Sequence, residues 1–178
     1  MNTNPTEKEN EEQDLIIGRN AVLEAIRSGR EIDTVFVAKG DRSGSIGVIT
    51  GKAADNGTVI KEVDRRKLDA MCGGANHQGV AARVAAHKYS DIDDMLKAAE
   101  EKGEAPFVII CDEIEDPHNL GAIIRTADAC GAHGVIIPKR RGVSLTYAVS
   151  KVSAGAIEYV PVARVSNLAS TIEEHKKK

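Results

Sequence analysis

Apolar and polar positions along this chain follow two rhythms, and the switches between them mark its elements. Over residues 20–29, Val22, Leu23 and Ile26 recur at helical spacing, with Asn20 as a candidate N-cap and Gly29 as a terminator. The run from Ile32 to Ala38 is short, apolar and β-branched, which predicts a strand. Residues 58–63 and 79–85 predict two more. Between them, 45–56 reads as a helix closed by Gly57, and Asp64 as the cap of a helix through Met71 that ends at Gly73-Gly74. Helices and strands alternating over so short a stretch predict a small α/β sandwich over residues 15–86.

The pattern then repeats. Residues 87–104 are charged and alanine-rich, with Ile92, Met95, Leu96 and Ala99 on one helical face and Gly103 as the stop, so they read as a linker followed by a helix. Strands are predicted at 107–111, 134–138 and 159–165, with helices starting near Asn119 and Leu145 and a last one from Asn167. This order with short loops calls for parallel strands joined by crossover helices. The run Phe107-Val108-Ile109-Ile110-Cys111 is expected to be a buried strand. The domain boundary falls near His87, the second domain occupies 105–178, and the polar residues 1–14 are expected to form a disordered tail.

Composition narrows the class. A chain of 178 residues with net charge −3 suits one medium domain or two small ones. Its apolar runs are strand-sized and no signal-peptide pattern is present, so a cytoplasmic protein is expected. Cys72, Cys111 and Cys130 form no paired motif and are expected as small buried hydrophobes, with no metal site. The acidic balance does not favour general nucleic-acid binding. The clusters Arg65-Arg66-Lys67, Lys139-Arg140-Arg141 and Lys176-Lys177-Lys178 are either phosphate-binding faces or solvated surface. With no Trp, two Phe and three Tyr, an aromatic platform for stacking bases is not expected.

Candidate chemistry concentrates after residue 111, where a strand empties into a polar loop and then a helix. Ligands of parallel α/β sheets sit beyond the carboxyl ends of the strands. On the helix, Leu120, Ile123, Ile124 and Ala127 form the core stripe, and Arg125 falls outside it on the face shared with Gly121, Ala122 and Asp128. Pro117 suits the first turn and Asn119 lies beside the helix start. Spacing alone leaves two readings open: a cap at Asn119 and an ion pair of Arg125 with Asp128, or two polar groups serving a ligand. The glycine-rich loop 72–79 is likewise an ordinary turn or an RNA-contacting loop using Asn76, His77 and Gln78. His77 has no nucleophile or acid paired with it in the sequence.

The run Asp116-Pro117-His118-Asn119-Leu120-Gly121-Ala122-Ile123-Ile124-Arg125-Thr126-Ala127, followed by Gly131, resembles the first signature motif of the SpoU/TrmH family (SPOUT superfamily) of S-adenosylmethionine-dependent RNA ribose 2'-O-methyltransferases. Lys151-Val152-Ser153-Ala154-Gly155-Ala156-Ile157-Glu158-Tyr159-Val160-Pro161-Val162 resembles a second segment of that family. Gly18-Arg19-Asn20-Ala21-Val22-Leu23-Glu24-Ala25 and Asn76-His77-Gln78-Gly79 resemble its small RNA-binding domain. The resemblance implies a ribosomal-protein-like α/β domain followed by a parallel-sheet α/β methyltransferase domain. It also implies S-adenosylmethionine as cofactor, 23S-type ribosomal RNA as partner, and a homodimer. By the same resemblance Asn119, Arg125 and Glu158 are catalytic, with Glu158 orienting the arginine, and Arg19, Asn20, Asn76, His77 and Gln78 contact RNA. A guanidinium seldom surrenders its proton, so Arg125 is better suited to holding a phosphate and stabilising a developing alkoxide than to acting as a base.

Two later signatures of the family, one of the Gly-Ser-Glu-Gly type and one rich in Asn-Ser-Leu-Asn, do not occur in these 178 residues. In the family they form a trefoil knot and most of the cofactor pocket. The expectation is therefore a truncated methyltransferase domain without the knot-forming segment, its cofactor residues lying beyond Lys178. Such a chain is expected to bind S-adenosylmethionine poorly or not at all, to be of doubtful activity, and to represent a fragment of a longer enzyme. The alternative is a non-catalytic module that binds structured RNA. A Rossmann-type nucleotide enzyme fits less well, because no GxGxxG follows residues 107–111.

Overall fold

The computed structural model describes residues 14–41 and 43–176, so the expected tail, except Asp14, and the last two lysines of the terminal cluster lie outside the described residues. Asp14 itself corrects the tail boundary: it is buried, and its carbonyl accepts from Val84 N at 2.8 Å. The chain divides into two compact units between Ala86 and His87.

The first unit carries β1 (Leu15–Ile17), α1 (Arg19–Arg27), β2 (Ile32–Ala38), α2 (Ile46–Asp55), β3 (Val59–Val63), α3 (Arg65–Met71) and β4 (Val80–Val84). Its sheet has the order β1-β4-β2-β3, with β2 and β3 parallel and β4 antiparallel to both β1 and β2. Successive residues of a strand face opposite sides, and both sides of this sheet are covered. Val35, Val37, Val80 and Ala82 pack under Val22 and Ile26 of α1 and Ile46 and Ile49 of α2. Phe36, Ala38 and Ala81 pack under Leu68 and Cys72. Strand β1 was not anticipated; three residues carry too little pattern, and it is held by its ladder to β4. Gly18, not Asn20, caps α1: its φ of 95° turns the chain from strand to helix, which leaves Asn20 exposed in the first turn.

The second unit carries α4 (Ile92–Lys102), β5 (Val108–Ile110), α5 (Pro117–Ala129), β6 (Gly134–Pro138), α6 (Tyr147–Val152), a 3-10 turn (Ala156–Glu158), β7 (Val162–Val165) and α7 (Leu168–His175). The strands form the expected parallel sheet in the order β5-β6-β7. Val135, Ile137 and Val162 face Leu120, Ile124 and Ala127 of α5 and Val149 of α6, whereas Ile136 and Ala163 face Ile92 and Met95 of α4. Two strand expectations need correction. Run 107–111 is a three-residue edge strand rather than a buried one, with Phe107 47% and Ile110 43% exposed. Apolar content reports the wish to be buried, not the place in the sheet. Strand 159–165 begins only at Val162, because Tyr159 closes the 3-10 turn and is 79% exposed. Of the cysteines, Cys72 and Cys111 are buried but Cys130 is exposed at the end of α5. No helix among the described residues is long and apolar enough to cross a membrane.

Candidate active site and RNA-facing loop

At the carboxyl end of β5 the Cys111 amide donates to Ile136 O at 2.9 Å, and the chain then leaves the sheet for the polar loop. Asp116 ends that loop. Its carboxylate accepts from His118 N at 2.8 Å, and Pro117 occupies the first helical position. Asn119 is thus not the cap but an exposed residue of the first turn. Leu120, Ile124 and Ala127 have no exposed surface, as the stripe required.

Gly121 departs from expectation. Placed with Arg125 on the open face, it is in fact buried against α6: a Cβ there would lie 2.7 Å from Val152 Cβ and 3.1 Å from Val149 O. One turn later, Arg125 is exposed, and among the described residues no hydrogen bond or ion pair engages it. Of the two readings left open by spacing, the ion pair with Asp128 is not made among the described residues. Asn119 and Arg125 lie six positions apart on the helix, which sets them about 9 Å apart along the axis and about 120° apart around it. The helix therefore does not bring the two side chains together.

Glu158 sits in the 3-10 turn that packs on α5. Its Oε1 lies 2.8 Å from His87 Nε2, so the carboxylate expected to orient Arg125 is held instead by a histidine. The loops beyond β5 and β6 are tied together by Val143 N donating to Ile114 O at 2.8 Å and by an exposed Arg141–Glu113 pair at 3.7 Å. Within the Lys139–Arg141 cluster this leaves Arg140 exposed at the carboxyl end of the sheet.

In the first unit, the residues expected to touch RNA divide into a brace and a rim. Arg19 is the brace: its Nε donates to Gln78 O at 2.8 Å, and its remaining donors reach Ser43 O, Ser43 Oγ and Asp41. The Gln78 amide oxygen accepts from Arg19 N at 3.2 Å, with Gln78 in the left-handed region at φ 51°. The Ser43 hydroxyl and amide, and then the Arg19 charge, hold the Asp41 carboxyl below its ordinary range against the opposing effect of burial. Stability from this group is present above the usual carboxylate pKa and is lost as pH falls through the lowered folded value.

His77 is 3% exposed, and both of its ring nitrogens are used within its own unit. Gly79 N donates to Nδ1 at 2.9 Å, so Nε2 carries the proton and donates to Asp69 Oδ1 at 2.8 Å. The ring replaces a backbone acceptor. His77→Ala strands the Gly79 amide and is expected to cost about 1–3 kcal/mol, read as a lower urea midpoint at unchanged slope. Asn20 and Asn76 remain exposed on the rim.

Parallel α/β sheets take their ligands beyond the carboxyl ends of the strands, and it is there that the exposed Asn119 opens α5. Residues 15–90 match the family described as RNA 2'-O ribose methyltransferase substrate binding, and residues 106–178 match the SpoU rRNA methylase family. A TrmH-family tRNA/rRNA methyltransferase of Bacillus subtilis, YacO, is 52% identical over 168 residues, covering 94% of this chain and 67% of that protein. A TrmH-family counterpart in Staphylococcus aureus is 50% identical over 165 residues, covering 93% and 66%. The chain belongs to the SpoU/TrmH family of RNA methyltransferases. It spans about two thirds of the length of these curated relatives. Among solved structures, an AdoMet-bound rRNA methyltransferase from Sinorhizobium meliloti is 24% identical, with 96% of this chain and 61% of that one covered at a TM-score of 0.43.

Proposed function

We propose that this protein takes part in transferring a methyl group from S-adenosylmethionine to a ribose 2'-hydroxyl of ribosomal RNA, in the cytoplasm and as a homodimer. The observation that carries the reading is Arg125, an exposed cation without a protein partner among the described residues, within the run 116–127 that resembles the family motif. A guanidinium left free matches a phosphate in bidentate fashion. In this reading Arg125 grips the phosphate beside the acceptor nucleotide and offsets charge on the 2'-oxygen as its proton leaves. Asn119, about 9 Å away along α5, contacts the RNA separately. Glu158 supplies a carboxylate near the acceptor, and Asn20 and Asn76 meet the RNA at the first unit.

S-adenosylmethionine supplies the methyl group in such reactions. The residues described around α5 fit the acceptor rather than the donor. His118, Asn119 and Arg125 are polar and exposed, and nothing among them forms the enclosed apolar slot that an adenine ring needs. The test is transfer of labelled methyl from S-adenosylmethionine to ribosomal RNA, followed by nuclease digestion. Label in a 2'-O-methylated nucleoside is expected; label only on a base overturns the reading.

A further inference from the structure

We infer that His87 is a positioning residue of the proposed methyl-transfer site, the group that holds the Glu158 carboxylate in place. The two residues lie 71 positions apart, yet His87 Nε2 and Glu158 Oε1 are separated by 2.8 Å. A carboxylate only accepts, so Nε2 carries the proton and donates. The histidine side chain is 24% exposed and the glutamate 62%, which makes the imidazole the anchored member and the carboxylate the one presented to solvent. Both border a small cavity of about 170 Å³ whose other charged or phenolic neighbours are Lys88 and Tyr159.

The backbone under Glu158 is fixed independently. Ile157 is 5% exposed and belongs to the core that contains Leu120 and Ile124 of α5. The turn is entered through Ala154 and Gly155, both at positive φ, and Glu158 N donates to Gly155 O at 3.1 Å. What that core leaves undetermined is the direction of the carboxylate, and His87 fixes it.

The arrangement also explains how Arg125 stays available. A carboxylate paired with the guanidinium would occupy the fork that a phosphate needs, whereas one held by His87 remains near α5 without consuming it. The inference rests on the reading of Arg125 and Glu158 as site residues, and the test separates the two.

Single-turnover methylation of ribosomal RNA is measured for His87→Ala, His87→Gln and Arg125→Ala, each beside its melting curve. His87→Ala is expected to lower the rate of the methylation step on the order of tenfold at unchanged RNA affinity, the loss that follows from one hydrogen bond to a charged group. His87→Gln, whose amide N–H still reaches the carboxylate, is expected to restore most of it. A His87→Ala rate equal to wild type, with Arg125→Ala inactive, overturns the role of His87 alone. Equal losses in both His87 variants with a lowered melting temperature also overturn it, by assigning the contact to stability. Full activity of Arg125→Ala overturns the underlying reading instead. Independently of turnover, the ¹⁵N resonances of the His87 ring are expected to move in Glu158→Gln, and unchanged resonances overturn the contact.

Discussion

Replacing Arg125 by alanine is expected to reduce methyl transfer to RNA by about 10²–10³-fold, the loss typical of removing one preorganised charge-stabilising donor. The fold should not notice. Arg125 is exposed and makes no hydrogen bond or ion pair among the described residues, so its stability change is expected within about 0.5 kcal/mol. RNA affinity should fall only modestly, because one cation is a small part of an RNA interface. Arg125→Lys is expected to recover little, since an ammonium offers a point charge rather than a planar fork. The measurements are single-turnover rate and equilibrium binding on the same RNA. A large loss of affinity with unchanged turnover of bound RNA would favour the non-catalytic binding module.

The largest effect on stability is expected at Gly121. An alanine there gains about 1 kcal/mol of helix propensity, but its Cβ would sit 2.7 Å from Val152 Cβ and 3.1 Å from the Val149 carbonyl. Neither neighbour yields easily: Val152 is β-branched and Val149 O is backbone. Overpacking costs about 1–3 kcal/mol or more, so the net change is destabilising. Urea denaturation of Gly121→Ala should show a lower midpoint, and adding Val152→Ala should return part of it through coupling between the two sites. Gly51→Ala, in the interior of α2 where nothing lies within 4 Å of the added Cβ, is the control and should be neutral or stabilising. A Gly121→Ala midpoint at or above wild type would mean that α5 and α6 are free to separate.

These two positions show what the sequence reveals and where it stops. Arg125 was legible as exposed because a 3.6-residue period excludes it from the apolar stripe. The burial of Gly121 is not legible, because glycine has no side chain to signal it and its neighbours on α6, Val149 and Val152, lie far downstream in the sequence. Strand β2 was legible over its whole length as seven residues covered on both faces, whereas β1 is three residues stabilised by a partner. The apolar run at β5 was recognised as a strand but not as an edge, since sheet order is a tertiary property. The polar cluster around Arg19 and Gln78 and the His87–Glu158 contact join residues 59 and 71 positions apart, distances over which no local pattern speaks. The signal available for His77 was the glycine two residues on: Gly79, at φ 83°, turns its backbone amide back within reach of the ring.

That last contact gives the first unit its own clock. The Gly79 amide is held by an imidazole rather than by water, and Gly79 O is tied to Ala38 N at 2.9 Å, so deuterium enters only when the loop and the end of β2 part. The second unit carries a counterpart, the Phe107 amide on His133 Nδ1 at 3.1 Å. Exchange followed at these two amides in one sample times the opening of each unit separately. It thereby tells whether RNA, once bound, quiets one half of the chain or both.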